Sequence, residues 1–283
     1  MTPAERSGPP GLHLQVEGVS RVFGEESDTP FLALDETTLD IRPGEFVSVV
    51  GPSGCGKSTL MLIAAGLLSP TTGTVRVNGE PLRSALTDVG IAFQDHLLLD
   101  FRTARENVLL QADIRGSDRK RLGRRADELF AQLGLEEGVG DKYPNQLSGG
   151  MRQRVSLART LVHNPPMLML DEPFGALDAL TRLQVRHDLE QLWLLQQPSV
   201  LFITHSVEEA VGLSDRIIVF SLSPGRIVDE IAVDLPRPRP LALGDTPEYA
   251  HYADQVFQHF ERMGVLHGNG LFGKMEERPD KST

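Results

Sequence analysis

Gly51-Pro52-Ser53-Gly54-Cys55-Gly56-Lys57-Ser58 gathers glycines, an ammonium and a hydroxyl into one short stretch of a 283-residue chain. The order Gly, four residues, Gly-Lys-Ser lets backbone N–H groups wrap phosphate oxygens, because glycine permits close backbone approach. Lys57 then reaches the outer phosphates of a nucleotide, and the Ser58 hydroxyl is placed to ligate Mg2+. Gly51 to Ser58, with Thr59 beside them, are the expected nucleotide contacts. Cys55 lies among backbone-wrapping positions and is given no catalytic role.

Asp171 and Glu172 end the apolar run Met167-Leu168-Met169-Leu170. Alone, such a pair reads first as a solvated turn. Beside a phosphate loop, Asp171 is expected to hold Mg2+, directly or through water, and Glu172 to orient and deprotonate an attacking water. Ser148-Gly149-Gly150, inside Leu147–Gln153, supplies a third candidate. A Ser-Gly-Gly turn opening a helix offers free N–H groups and a positive helix end to a phosphate oxygen. Taken by itself it is a tight loop and a cap.

The elements that must position these residues follow from periodicity. Phe46–Val50 is a compact β-rich run ending at Gly51, and Lys57–Leu68 reads as a helix, giving strand, loop, helix. Leu12, Leu14 and Val16 alternate as a strand. Thr74–Val77, the Asn78-Gly79 turn and Val89–Phe93 add strand and hairpin signals. From about 96 to 164 the pattern turns helical, with Leu122, Ala126, Leu129, Phe130 and Leu133 along one face. Met167–Leu170, Val200–Thr204 and Arg216–Phe220 resume short strands around a helix carrying Leu183, Leu189, Leu192 and Leu195. Ser206 and Glu209 have capping-box spacing. Asp245-Thr246-Pro247 opens a last helix with Tyr249, Tyr252, Val256, Phe257 and Phe260 on one face and Gly264 as its stop. The whole is an α/β layer fold with a largely parallel sheet.

Composition narrows the class. The 39 acidic against 28 basic residues give a net charge of -11, which repels nucleic acid and anionic lipid. No apolar run approaches the roughly 18 residues of a membrane span. One cysteine excludes an intrachain disulfide, and no charged-then-apolar leader opens the chain, so the cytoplasm is the expected compartment. Arg115, Arg119, Lys120, Arg121, Arg124 and Arg125 read as a solvated helix face, with contact to a lipid headgroup or to an acidic loop of a partner as the weaker alternative.

Together these motifs make the chain resemble the ATP-binding subunit of an ABC transporter over roughly residues 12–240. The resemblance implies a P-loop NTPase (RecA-like) core, an antiparallel β subdomain and an inserted α-helical subdomain at 96–164. Residues 1–11 would be a flexible leader, and 241–283 a helix and a disordered tail. Ser148, Gly149 and Gly150 become the signature motif, with Met151 where glutamine is usual. Gln94 resembles the glutamine loop that senses Mg2+ and the attacking water. His205 resembles the switch histidine at the γ-phosphate, and Ala176-Leu177-Asp178 the loop that crosses the dimer interface. Phe23 resembles the aromatic that stacks on adenine, with Phe31 as a competing candidate.

The family likeness further implies ATP and Mg2+ as ligands, and a head-to-tail dimer in which the signature of one copy closes over the phosphate loop of the other. It implies separate transmembrane permease subunits, indirectly a solute-binding protein, and a peripheral place on the cytoplasmic face of the membrane. Importer, exporter and soluble ABC ATPase are the three readings. Acidity and a single nucleotide domain count against the last. Ser223–Val228 followed by Val233–Arg239 resembles the nitrate/sulfonate/taurine importer group, with a Pro-rich strand exit as the alternative. Asp100-Phe101 departs from that group, where Pro-Trp is common.

Overall fold

A computed structural model describes residues 11–241, 244 and 246–265. The expected leader, the tail after Phe272 and the helix-opening Asp245 lie outside these residues, apart from Gly11 at the leader's end. In chain order the elements are β1 (Leu14–Phe23), β2 (Phe31–Ile41), β3 (Phe46–Val50), α1 (Lys57–Ala64), β4 (Thr72–Val77), β5 (Glu80–Pro81) and β6 (Gly90–Ala92). Then come α2 (Ala104–Val108), α3 (Leu110–Arg115), α4 (Arg119–Gln132), α5 (Gly149–Leu161), β7 (Met167–Asp171) and α6 (Ala179–Gln196). The chain closes with β8 (Ser199–Thr204), α7 (Val207–Leu213), β9 (Arg216–Phe220), β10 (Ile227–Ala232) and α8 (Pro247–Arg262).

Every residue of β3, β7 and β8 is buried, the burial expected of interior strands in a parallel sheet covered on both faces. They are central in a six-stranded sheet of order β10-β9-β3-β8-β7-β6. All its neighbours run parallel except β10 on β9. Alternate side chains divide between two cores. Phe46, Leu168, Leu170, Val200 and Phe202 pack with the helical segment. Val47, Val49, Met167, Met169, Leu201 and Ile203 pack with α1 and the second sheet. That sheet is four-stranded and antiparallel, in the order β2-β1-β4-β5. Asn78 and Gly79 both have positive φ, as a two-residue hairpin turn matching strand twist requires.

The segment between β6 and β7 is helical as expected, and Leu122, Ala126, Leu129, Phe130 and Leu133 are all buried in it. It shares one core with the central sheet rather than owning a separate one. Arg115, Arg119 and Arg125 pair with Asp88, Asp113 and Glu128, as a solvated face does.

Several elements differ from the sequence reading. The helix after the phosphate loop ends at Ala64 rather than Leu68, and the strand before Gln94 shrinks to Gly90–Ala92. Ser206 caps α7, but Glu209 does not reciprocate, because its carboxylate turns to the Thr204 hydroxyl. Phe257 is exposed, one position off the buried stripe of Ala253, Val256 and Phe260.

Candidate functional site

Val50 leaves the centre of the sheet at Gly51, and the loop delivers Gly56 to the start of α1 with φ +98° and no side-chain cap. A Cβ at Gly56 would lie 2.5 Å from the Ala33 carbonyl, so β2 closes too tightly here for any other residue. The first N–H groups of α1 lack a side-chain acceptor, which leaves them to an anion. The buried Lys57 ammonium donates to the carbonyls of Gly51 at 2.8 Å and Pro52 at 2.7 Å. It is thus held over the loop. Cys55 is buried behind it; burial pushes the thiol up from its usual value, and Lys57 pulls it back.

A cleft of about 230 Å³ brings Ser53, Gly54, Gly56, Lys57, Ser58 and Thr59 together with Phe23, Phe31, Gln94 and Glu172. Phe23 and Phe31, the competing aromatics, are cross-strand partners where β1 meets β2. The Arg21 guanidinium lies 4.8 Å from the Phe23 ring centre and covers one of its faces.

Asp171 ends β7 below this cleft and is buried. Burial pushes its carboxyl above the usual range; the Ser58 hydrogen bond pulls it back, the charge of Glu172 raises it and Lys57 lowers it. A buried carboxylate with a hydroxyl partner and a second carboxylate alongside is a donor set that a divalent cation would relieve. No cluster of three or more His, Cys, Asp or Glu forms a cage among the described residues. Mg2+ keeps its waters and takes oxygens from substrate phosphates, so the Ser58 hydroxyl and the Asp171 carboxylate fit it without a cage.

Glu172 has φ +46°. A side-chain-bearing residue in the left-handed region costs roughly 1–2 kcal/mol, and the turn turns its carboxylate toward the cleft. Its N–H donates to the Ile203 carbonyl at 2.9 Å, which fixes the turn on β8. Glu172 Oε2 stands 3.1 Å from His205 Nδ1, so the expected base and switch residues meet as a pair.

Ser148, Gly149, Gly150 and Asp178 do not line this cleft. Ser148 caps α5, its hydroxyl accepting from Met151 N–H at 3.2 Å. Asp178 caps α6, accepting from Thr181 N–H at 3.0 Å; the Thr181 hydroxyl first, and then this N–H, hold its carboxyl below the usual range. The signature turn instead rests on the Ala176-Leu177 loop of the same chain. A Cβ at Gly150 would lie 3.3 Å from Leu177 Cδ2. The expected residues therefore fall into two groups, those at the cleft and those of a separate turn and loop.

Two organising residues escaped the sequence reading. Asn107, fully buried, accepts from Leu99 N–H at 2.7 Å and donates to the carbonyls of Leu99, Arg102 and Thr103. Arg159 on α5 donates to the carbonyls of His96 and Leu97. Together they shape the loop beyond Gln94 and tie it to the signature helix. A polar residue at a buried helical position was the only available signal for Asn107.

The Ser223–Val228 and Val233–Arg239 segments are structural clamps rather than a loose exit. Gly225 packs so closely on the phosphate loop that a Cβ would overlap the Cys55 carbonyl. Arg237 pairs with Glu190 and Asp215 and stacks 4.3 Å from the Trp193 ring centre. Arg239 is buried, and burial lowers its pKa to about 10.

Residues 34–175 match the family described as ABC transporter. The taurine import ATP-binding protein TauB of Mesorhizobium japonicum is 45% identical over 76% of this chain and 82% of its own length. The aliphatic sulfonates import ATP-binding protein SsuB of Bacillus cereus is 36% identical over 90% of this chain and 98% of its own. The ATP-binding cassette MJ0796, solved as a dimer in a post-hydrolysis state bound to ADP and Pi, superposes with a TM-score of 0.71 at 33% identity. That alignment covers 79% of this chain and all of the cassette. With a phosphate loop, a paired glutamate and histidine, and a signature turn held apart from them, the chain belongs to the ABC transporter family.

Proposed function

We propose that this chain is the ATP-hydrolysing subunit of an importer for a small solute of the nitrate, sulfonate and taurine class. It works as a head-to-tail dimer on the cytoplasmic face of the membrane, against separate permease subunits. Among the described residues no helix is long and apolar enough to cross a membrane, so in this reading translocation belongs to those partners. The names of the relatives support import over export and over a soluble ABC ATPase. The observation that carries the reading is the division of the site. Lys57, Ser58 and Glu172 line one cleft, Asp171 and His205 join it through Ser58 and Glu172, and Ser148, Gly149 and Gly150 neither line it nor contact those residues through a hydrogen bond or ion pair found among the described residues. A second copy, supplying its own signature turn, would complete the ATP site.

In that site Lys57 exchanges the Gly51 and Pro52 carbonyls for β- and γ-phosphate oxygens, and the free N–H groups of α1 receive the rest of the phosphate chain. Ser58 and Asp171, with Gln94, would hold a Mg2+ ion, which would supply positive charge against the phosphates. Glu172 takes the proton of the attacking water, and His205 orients that carboxylate and faces the γ-phosphate. Phe23, with one face already covered by Arg21, stacks the adenine on the other, and Phe31 borders it. Asp178 reaches the partner across the interface. Loss of a general base slows turnover by about 10²–10⁴-fold. Steady-state ATPase assays of Glu172→Gln should show that loss with ATP binding retained and the closed dimer trapped; wild-type turnover in this variant overturns the assignment.

A further inference from the structure

Glu209, in the first turn of α7, is 6% exposed, and its partners all border the catalytic pair. One oxygen, Oε2, accepts from the Thr204 hydroxyl, and that hydroxyl accepts from Ser206 N–H at 2.9 Å. His205 is thus held from both sides. The other oxygen, Oε1, faces Arg182 Nε at 3.8 Å. Arg182 also donates through Nη2 to the Leu177 carbonyl at 3.0 Å. The other nearby basic side chains are engaged elsewhere: Arg186 binds Glu208 at 2.8 Å, and His205 faces Glu172.

These contacts form a ring. From Glu172 the chain runs to Leu177, Arg182 leads from Leu177 to Glu209, Thr204 leads on to His205, and His205 returns to Glu172. One link is open. Arg182 Nε is buried and makes no hydrogen bond among the described residues, and its distance to Glu209 is roughly half an ångström beyond hydrogen-bond range. Buried donors are rarely left unpaired, so a small inward shift of the start of α6 has a favourable end point. Leu177, at the far side of the ring, is the residue on which the signature turn rests, through Gly150.

We propose that Arg182 and Glu209 are positioning residues that carry the state of the signature turn to the Glu172–His205 pair. The inference rests on the dimeric reading above, in which this chain's signature closes on its partner's ATP. Pressure on Gly150 moves Leu177, Arg182 closes on Glu209, and Glu209 draws the Thr204–Ser206 turn and His205 into register with Glu172. Occupancy of one ATP site thereby sets the geometry of hydrolysis in the other. A backbone carbonyl and a carboxylate are bridged by one planar guanidinium, which a lysine ammonium cannot span in the same way.

The test compares purified full-length wild type, Arg182→Met, Glu209→Gln, the double variant and Arg182→Lys. Turnover is measured against ATP concentration, binding with a fluorescent ATP analogue, and folding by thermal melting. Wild type should give a sigmoidal curve. Each single variant should lose about tenfold in kcat, with a Hill slope of one and nucleotide affinity within about twofold. The double variant should match the singles, since the two act through one contact, and Arg182→Lys should not restore the slope. A hyperbolic wild-type curve, a preserved slope in the variants, additive losses, or binding that falls in step with kcat each overturns the relay. If Glu209→Gln does not fold, Arg182→Met, whose side chain is 38% exposed, decides the question by its slope and kcat. A wild type that binds but never hydrolyses ATP overturns the functional reading, and the relay with it.

Discussion

The cleft at Lys57 and the turn at Ser148 both belong to the proposed ATP site, yet they are built on opposite principles. In the cleft, charge is buried and backbone is strained: Lys57 and Asp171 are each 5% exposed, and Glu172 sits at positive φ. Such a region is organised before any ligand arrives, because its folding holds the groups in place. At the turn, Ser148 and Asp178 cap helices, and Gly149 and Gly150 present backbone against Ala176 and Leu177. That region is a contact surface awaiting a partner. One chain thus carries a finished half and an unfinished half.

Removing a buried charge should separate the halves most sharply. Lys57→Ala deletes the ammonium that would meet the phosphates, and a charge-assisted hydrogen bond contributes about 1.5–3 kcal/mol. Titration of the monomer with a fluorescent ATP analogue should show affinity falling by about one to two orders of magnitude. Ser148→Ala is the counterpart. Loss of the cap should lower stability by about 1 kcal/mol, and ATP turnover should drop while the monomer's nucleotide affinity stays at the wild-type value. Equal loss of monomer binding in both variants would merge the two regions into one site and remove the need for a second copy.

Legibility followed the same division. The phosphate loop could be read because its chemistry is contiguous and its strand, loop and helix are local. Asp171 and Glu172 followed from their place at the end of an apolar run. What escaped depends on partners distant in the chain. No reading singled out β2, although its Ala33 carbonyl is what forces glycine at position 56. Glu209 had the spacing of a capping box, and spacing cannot reveal that the carboxylate prefers Thr204. Arg237 and Arg239 lie in a stretch for which a Pro-rich strand exit is the alternative reading, and Glu190 and the carbonyls of Val211 and Ser214 draw them inside. The family resemblance supplied Gln94 and His205 where a lone polar residue carries little signal.

The smallest predicted effect contrasts the two regions by the sign of their pH dependence. Burial raises the Asp171 carboxyl above its unfolded value, so the unfolded chain releases its proton first as pH rises. Stability therefore falls through that window, and the full penalty is present above it. Asp178 is the reverse, with its carboxyl held down by Thr181. Its contribution is present above the unfolded value and is lost as pH falls through the lowered one. In nucleotide-free protein Asp171→Asn should melt higher than wild type at pH 7, with the gap closing as pH drops through the carboxylate range. Asp178→Asn should melt slightly lower at pH 7 and converge with wild type in acid. Melting curves that shift in the same direction for both variants would mean that Asp171 is relieved within the chain itself, and that the cleft does not wait for a cation.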